Sequence, residues 1–445
     1  MRLHLRFHPL RLIGLALLCF WAYFWYINLQ QNKLIGRFSL WWMPKWSFLG
    51  LDFLNSYFAV PHWLQGGNIY VEDFGDPIGR PYAYAPVVLV LFLWCNWIGP
   101  MTGIWVWTGI SALIIFVAAC AVWQTRMELR LPDLSVPFIL AVTLWSMPVV
   151  FAMERGNNDV LIILILVFVA RLLRRDSLAV DVIVGALMAF AVWAKLYPIL
   201  LLPGLIVLGH FRAAAFAAMF GPLIGLIFLR DNLDWIEISR RVTGNYPMNG
   251  LHYAHSISGA WPFLWRDLGV GFLARIPGLI GATVLLAPLA GWVSWDVYRC
   301  RQRVVLAYPY LLWLSACATF WFPVSMDYKL ISLPLAALAL WHHRDRLLAQ
   351  ALLGVMLLWW QPLALPIDAW TLLLLKFCGL IGVAVCLVDR TRELDTDPQA
   401  APIPAEAVAR QRPQMDSTRV LTLHRERRYA RRHYDELAAA AAQFS

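Results

Sequence analysis

Charged residues are scarce in this chain, and their scarcity excludes the most common class of protein. Of its 445 residues only 14% are Asp, Glu, Lys or Arg, whereas 60% are hydrophobic, and the mean hydropathy is +0.61. A soluble globular domain carries about 25% charged residues. Long apolar runs recur between Leu12 and Leu387, and each can cross the hydrocarbon core of a bilayer as a helix. The composition therefore predicts an all-α polytopic membrane protein.

The chain also lacks paired cysteines and a signal-peptide cleavage site. Its seven cysteines form no CxxC motif, and Cys300 lies among arginines, so neither a disulfide framework nor a zinc site is expected. Arg2, Arg6 and Arg11 precede an apolar run that reaches Tyr26, but bulky residues follow where small ones are needed for cleavage. We therefore expect the first apolar run to be a retained membrane span.

Acidic residues are outnumbered, with 27 Asp and Glu against 37 Lys and Arg and a net charge of +10. In a soluble chain this balance would indicate a nucleic-acid partner, but a membrane protein gathers basic residues in its cytoplasmic connections. With the N-terminus inside, the segments QTRMELR, RLLRRDS, GHFR, DVYRCRQR and HHRDR all face the cytoplasm. We therefore expect no nucleic-acid partner and two cytoplasmic termini.

Apolar length and charged boundaries together predict about 12 transmembrane helices. They are expected near residues 11–27, 101–123, 134–152, 157–173, 180–194, 196–209, 213–229, 271–293, 304–322, 328–342, 346–361 and 366–388. The run 84–99 is short and contains Pro86, so a re-entrant or interfacial helix is expected there. The run 180–209 is divided at Lys195, because a single span would put most basic loops outside.

Two outward connections, 28–100 and 230–270, are long and rich in Trp, Tyr, Pro and Gly. We expect the functional site on this outer face. Residues 1–388 then form one transmembrane domain. Residues 389–445 are rich in Pro and Ala and then in Arg, which predicts a basic, partly disordered cytoplasmic tail that contacts anionic membrane lipids.

An acidic residue lies on a predicted short helix in the first outer connection. In GLDFLNSYFAVPHWL, Asp52, Asn55, Ser56 and Ala59 follow helical spacing on one face, and the helix is expected at the membrane surface. One interpretation makes Asp52 a general base that removes a proton from a sugar hydroxyl. The other makes it the N-cap of the helix, and the spacing does not separate the two.

A polar cluster, MERGNNDV, brings Arg155, Asn157 and Asn158 between two apolar runs. Ionisable residues at membrane depth are costly and are usually functional, which favours substrate binding. The alternative is a helix-end ion pair of Glu154 with Arg155, with Asn157 as the cap of the next span.

A lysine interrupts a second apolar stretch, FAVWAKLYPILLLP, where Lys195 needs a partner or water. Beside an aromatic residue such as Tyr197, a buried cation suits an anionic phosphate and stabilises the charge of a departing group. The alternative is a lysine that snorkels to the outer interface. For Lys376, in LLLLKFC, the absence of polar neighbours makes snorkelling the preferred interpretation.

Two further groups of candidates lie at outer boundaries. FWFPVSMDYKL brings Asp327, Tyr328 and Lys329 to the start of a span, either to bind sugar hydroxyls or phosphate or as a local ion pair. His252 and His255 lie in the 230–270 connection and offer ring nitrogens to a substrate. They also have the spacing of two metal ligands on a helix, but a third ligand at a recognisable spacing is lacking, so no metal is expected.

Taken in order, these features resemble the bacterial GT-C glycosyltransferases of family 87. The resemblance rests on the acidic residue of the first outer connection, then GGNIY, YAYAP, ERGNND, AVWAKLYPILLLP and FPVSMDYKLISLPL, and covers about residues 11–388. It implies a GT-C transmembrane fold with Asp52 as catalytic base and the Lys195 region as part of a donor-phosphate pocket. Tyr84 belongs to the YAYAP element.

The chain departs from the family pattern at several positions. Asn68-Ile69-Tyr70 replaces Asn-Pro-Tyr, Tyr84-Ala85-Pro86 replaces Tyr-Pro-Pro, and Gly156-Asn157-Asn158 replaces Gln-x-Asn. Tyr328 stands where a histidine is common, which leaves Lys329, Lys195 or Arg155 as the cations of a phosphate site.

The resemblance implies an inverting glycosyltransferase of the inner membrane with its site on the outer face. It would transfer a hexose, mannose in the members most similar to it, from a polyprenyl-phosphate donor to an envelope glycan or glycolipid acceptor, without a further cofactor. An O-antigen-ligase type of enzyme shares the lipid-linked donor but not this motif order. Two other classes stay open: a flippase or transporter of lipid-linked sugars, and a non-catalytic membrane protein of envelope assembly.

Overall fold

The computed structural model describes residues 9–30, 50–132, 134–244, 255–322, 325, 327–342 and 369–396. The regular elements of these ranges are all helices, as the composition predicts. The α-helices are α1 (Pro9–Gln30), α2 (Leu51–Leu64), α3 (Pro100–Glu128), α4 (Val136–Trp145), α5 (Met147–Arg155), α6 (Asp159–Leu172), α7 (Leu178–Ala194), α8 (Leu202–Val207), α9 (Phe211–Ile227), α10 (Leu229–Gly244), α11 (Ile257–Asp267), α12 (Gly271–Ala274), α13 (Gly278–Arg299), α14 (Ala307–Trp321), α15 (Ser332–Leu340) and α16 (Ala369–Thr396). The 3-10 helices are Pro86–Trp97, Tyr197–Leu201 and Asp327–Ile331.

Helix length separates the elements that can cross a membrane from those that fall short. Among the described residues, α3 and α13 are each long and apolar enough, and two bent helix pairs raise the number to four if each pair is one span. The 29 residues of α3 extend about 43 Å at 1.5 Å per residue. The shorter apolar helices, of 10–17 residues, reach about 15 to 26 Å by the same rise. The expected total of about 12 spans stays a prediction.

The predicted span 134–152 is wrong as a single helix. It consists of α4 and α5, which meet at Ser146 with a bend of 67°. Pro148 lies in the first turn of α5, where its missing N–H is tolerated, whereas in a continuous helix it would remove the bond to Leu144. α5 begins after this bend and ends at Arg155, within the ERGNND segment.

Other predicted boundaries correspond to changes in helix type. The run 84–99 forms the 3-10 helix Pro86–Trp97, whose placement in the membrane stays a prediction. α7 ends at Ala194 and Lys195 is extended, which confirms a helix break at Lys195, whereas the crossing of the membrane by both halves stays a prediction. The 230–270 connection contains α10 and α11, and α10 follows α9 with a bend of 99°.

Two predicted regions lie outside the described residues, namely the span at 346–361 and the tail beyond residue 396. The tail was expected to begin at residue 389, but α16 continues as a helix to Thr396. The helix is therefore longer than the apolar run that predicts it.

Close packing fixes α2 against the end of α5. The predicted helix over Leu51–Leu64 is confirmed, and its Gly50 N–H donates to the carbonyl of Glu154 at 2.7 Å. Phe53 is fully buried with its ring 6.3 Å from that of Trp107. Gly156 is left-handed, with φ +65°, and a Cβ there would lie 2.6 Å from Cβ of Phe53. The start of α2 therefore adjoins the junction between α5 and α6.

Candidate active site

Asp52 lies in the first turn of α2 with its side chain 5% exposed. Arg155 binds both of its carboxylate oxygens, with Nη2 to Oδ1 at 2.7 Å and Nε to Oδ2 at 3.0 Å. Arg80 Nη1 donates to Oδ1 at 3.0 Å and Asn157 Nδ2 to Oδ2 at 2.7 Å. Such charge-assisted, two-point contacts are the strong hydrogen bonds of proteins.

The N-cap interpretation of Asp52 is wrong. Gly50 precedes the helix as its cap residue without a side-chain cap bond, and the Asp52 carboxylate binds Arg155, Arg80 and Asn157 instead. Arg155 accordingly pairs with Asp52 rather than serving only as a partner for its neighbour Glu154. Local sequence did not reveal the pairing with Asp52, because it joins residues 103 positions apart.

Burial by itself raises the pKa of Asp52, since it disfavours the charged carboxylate. Arg155 and Arg80, together with the hydrogen bond from Asn157, outweigh burial and hold the pKa of Asp52 far below its ordinary value. Asp52 is therefore a carboxylate at any physiological pH. It carries the negative charge that a proton acceptor needs, but its basicity is low.

Lys195 forms a second group of contacts. Its Nζ lies 2.9 Å from Asp159 Oδ2, 3.2 Å from Asn157 Oδ1 and 4.5 Å from the centroid of the Tyr84 ring. Its side chain is 9% exposed, so the snorkelling alternative is wrong. The Tyr197 hydroxyl donates to Asp159 Oδ1 at 3.0 Å. The predicted residues Lys195 and Tyr197 thus contact one carboxylate, and the predicted Tyr84 contacts Lys195.

Asn157 joins the two groups. Its Nδ2 faces Asp52, whereas its Oδ1 accepts from Lys195 and from the Asp159 N–H at 3.0 Å. The last bond satisfies one of the free N–H groups at the start of α6, although the N-cap residue of α6 is Asn158 rather than the predicted Asn157. One amide therefore fixes the spacing between the carboxylate and the buried ammonium.

Asn158 is 1% exposed, yet among the described residues neither its side-chain oxygen nor its nitrogen has a hydrogen-bond partner. Buried polar atoms are nearly always paired. An amide left in this state beside Asn157 and Asp159 is suited to a polar ligand group. Lys329, in the middle of the 3-10 helix Asp327–Ile331, interacts electrostatically with Asp159 and Lys195.

The segment of residues 76–83 is held to α2 by a second ion-pair group that the sequence prediction missed. Arg80 contacts Asp76 through Nη2 to Oδ2 at 3.1 Å and through Nε to Oδ1 at 3.3 Å. Asn55 donates from Nδ2 to Asp76 Oδ2 at 2.8 Å and accepts from the Ala83 N–H at 3.1 Å. Asn55, expected to bind substrate, therefore positions residues 76–83.

The remaining candidates are not joined to Asp52 by the contacts of the described residues. His255 is buried, with Nε2 2.9 Å from Thr319 Oγ1 and its N–H donating to the Ser325 carbonyl. His252 lies outside the described residues, as do the side chains of Asp327 and Tyr328. In the described part of the chain, no three His, Cys, Asp or Glu side chains are grouped to hold a metal ion.

Lys376, for which snorkelling was preferred, is a further correction. Its side chain is 1% exposed, inside the packing of α16. Its burial follows from tertiary packing that the local run LLLLKFC does not reveal.

With this geometry established, comparison with known proteins identifies the family. A family model for glycosyltransferase family 87 matches residues 82–324, more than half of the chain. The chain belongs to glycosyltransferase family 87. No curated protein and no solved structure matches it. The family 87 region contains Arg155, Asn157 and Lys195, whereas Asp52 and Arg80 precede it. Membership makes the protein a glycosyltransferase, and its apolar helices are those of a membrane protein.

Proposed function

We propose that the protein is an inverting hexosyltransferase that uses a polyprenyl-phosphate hexose, with mannose as the first candidate sugar. The observation that carries this proposal is the single polar cluster in which Asn157 lies between an ionised carboxylate, Asp52, and a buried ammonium, Lys195. One group suits the acceptor hydroxyl and the other the donor phosphate. The acceptor is an envelope glycan or glycolipid that reaches the site from the outer, aqueous side.

In the proposed reaction the acceptor oxygen attacks the anomeric carbon from the face opposite the phosphate. The bond from that carbon to the phosphate oxygen breaks, its electron pair leaves with the phosphate, and the acceptor proton passes to Asp52. A single displacement inverts the anomeric centre. The transition state resembles an oxocarbenium ion, which makes the attacking hydroxyl acidic. A carboxylate of low basicity is therefore adequate as the base.

Cations stabilise the departing phosphate, whose charge grows as the bond breaks. Lys195 is the main candidate because it is a buried ammonium beside the amide of Asn157, with its charge facing Asp159. Lys329 adds a second positive charge near the same carboxylate. The unpaired amide of Asn158 offers one donor and one acceptor to the phosphate or to a sugar hydroxyl.

Radiolabelled polyprenyl-phosphate hexoses, each incubated with the purified protein and envelope lipids, test this proposal. We expect label to pass from one donor to a lipid or glycan product with inverted anomeric configuration. Asp52→Asn should lower that transfer about a hundredfold or more per folded molecule, with donor affinity retained.

A matched control is Asp181→Asn, because Asp181 is also a buried aspartate paired with an arginine, Arg212. Its transfer rate should stay within about twofold of the native rate, since it lies outside the cluster of contacts that the base requires. Full transfer by folded Asp52→Asn would eliminate Asp52 as the base. Movement of the labelled lipid across a vesicle membrane without covalent change would instead indicate a flippase.

A further inference from the structure

The acceptor positions of Asp52 are all occupied. An ionised carboxylate offers about four lone-pair sites, and Asp52 receives four hydrogen bonds, two on each oxygen. An acceptor hydroxyl can therefore reach this carboxylate only if one of the present donors leaves. The arrangement protects the proposed base from water as well as from the acceptor.

The four bonds are not equally easy to break. Arg155 contributes two of them, one to each oxygen, in the two-point geometry that is strongest. Asn157 is held from its other end by Lys195 and by the Asp159 N–H. Arg80 contributes a single bond of 3.0 Å. Arg80 is therefore the donor that Asp52 loses at the lowest cost.

The surroundings of Arg80 also prepare it to leave. Its Nη2 donates to the Leu51 carbonyl at 2.8 Å, and Nη2 and Nε both contact Asp76. The guanidinium that leaves Asp52 therefore keeps a carboxylate partner. Arg80 lies outside any helix, one residue after Gly79, and Pro77 and Ile78 of the same segment are exposed. This segment faces solvent, whereas Arg155 and Asn157 belong to the interior junction.

We infer that Arg80 is the donor that the acceptor hydroxyl displaces, and that the acceptor enters from the side of residues 73–81. Arg80 is a positioning residue, which shields and orients Asp52 until the acceptor replaces it. This inference rests on the proposed role of Asp52 as base. It adds an acceptor entry side and a mechanism that excludes water from a site where hydrolysis would waste the donor.

Donor hydrolysis in the absence of an acceptor tests the inference directly. If Arg80 excludes water, Arg80→Met should admit it. Water then attacks the anomeric carbon, the bond to the phosphate oxygen breaks, and the proton goes to Asp52, which yields free hexose and polyprenyl phosphate. With polyprenyl-phosphate [14C]mannose as probe, we expect release of labelled hexose to rise about tenfold or more over the native protein, as removal of a competing contact predicts. The double variant Asp52→Asn/Arg80→Met should abolish this increase.

Asp76→Asn provides a test with the opposite sign. Without the Asp76 carboxylate, the guanidinium that leaves Asp52 has no charged partner to keep, so displacement becomes more difficult. We expect transfer to the acceptor to fall with a raised acceptor KM, and hydrolysis to stay at the native level or below. A purely structural role of this ion-pair group would make both variants change in the same direction.

Arg212→Met is the matched control, because Arg212 also bridges two aspartates, Asp176 and Asp181. It should leave hydrolysis unchanged. If Arg80→Met does not fold, Arg80→Lys takes its place in the comparison with Asp76→Asn. Lysine keeps the positive charge but lacks the several N–H donors of the guanidinium. Native transfer combined with no rise in hydrolysis in the Arg80 variant overturns the inference. Absence of transfer in the native protein with every lipid-linked hexose would instead overturn the proposed function.

Discussion

The carboxylate of Asp52 pairs with two arginines, and this pairing determines how the stability of the protein should depend on pH. Because its folded pKa lies below the unfolded value, the pairing stabilises the fold above the unfolded pKa and loses that effect only as pH falls through the folded pKa. Asp52→Asn leaves Arg155 and Arg80 without their shared counter-charge. We expect it to destabilise the fold by about 3 kcal/mol, the loss typical when a buried ion pair loses one partner.

Thermal unfolding of the native protein and of Asp52→Asn checks this across pH. The difference in Tm should be constant from about pH 8 to pH 5, because Asp52 stays ionised throughout that interval when paired. A difference that vanishes before pH 5 would mean that Asp52 is not held by both arginines.

Lys195 is predicted to affect the donor rather than the acceptor. Lys195→Met removes a buried positive charge beside Asp159, so affinity for a polyprenyl-phosphate donor should fall about tenfold or more, as expected for a hydrogen bond to a charged group. Binding of a labelled donor to purified protein measures the change. Lys376→Met, which removes another buried lysine, should alter affinity less than about twofold because it lies outside these contacts. Equal losses in the two variants would assign Lys195 to stability.

The sequence predicts the site residues that interrupt apolar runs better than those that lie in a polar connection. Arg155, Asn157 and Lys195 interrupt apolar runs, and a polar residue in such a position is conspicuous because burying it is costly. Arg80 and Asp76 lie in a connection that is already polar, so no contrast marks them. Asp159 is also part of ERGNND, so the argument that singled out Asn157 applies to it as well. An acidic residue in the first turn of a helix is an equally good interpretation of Asp159.

Among the elements, the junction of α5 and α6 determines the geometry of the site, because its backbone conformation places Arg155 and Asn157 against Asp52. Gly156 requires a positive φ and lies against Phe53 of α2. Gly156→Ala should therefore destabilise the protein through both backbone strain and a clash, and should lower transfer by displacing Arg155 and Asn157 from Asp52.

Gly66→Ala separates these two effects. Gly66 also has a positive φ, +85°, but no atom lies within 4 Å of an added Cβ. Backbone strain should lower the free energy of unfolding by about 1 kcal/mol, and Tm falls with it. Transfer per folded molecule should not be reduced. If Gly156→Ala behaves identically to Gly66→Ala, the contact between α2 and the junction does not control the site.

Hydropathy predicts where helices lie but not where they bend. The run 134–152 is uniformly apolar, so no charge marks the bend at Ser146, although Pro148 was the available signal. The helix break at Lys195 was predicted correctly because a charge and Pro198 coincide there. α2 was predicted from its periodicity, whereas its contact with α5 depends on packing between distant segments.

For the whole molecule, four of the five basic segments predicted to share one side contact one another or adjoining residues, whereas HHRDR lies almost wholly outside the described residues. Arg174 pairs with Glu128, Arg212 with Asp176, and Arg303 Nε donates to the Leu208 carbonyl at 3.1 Å. These contacts join the ends of α3, α6, α8 and α13. The grouping supports the order of the spans between them, because each pairing requires two loops to emerge at the same end of the bundle.

Which end faces the cytoplasm follows only from the positive-inside rule, and cysteine labelling in intact cells tests it. In a background without the seven native cysteines, Asp73→Cys in the exposed outer segment should react with a membrane-impermeant maleimide added outside. Asp176→Cys, 89% exposed at the basic end, should react only after the membrane is opened. The reverse pattern would place Asp52 and its acceptor side towards the cytoplasm. The donor's sugar would then have to be delivered to that face, and an outer-face transferase would be excluded even if Asp52 remained essential.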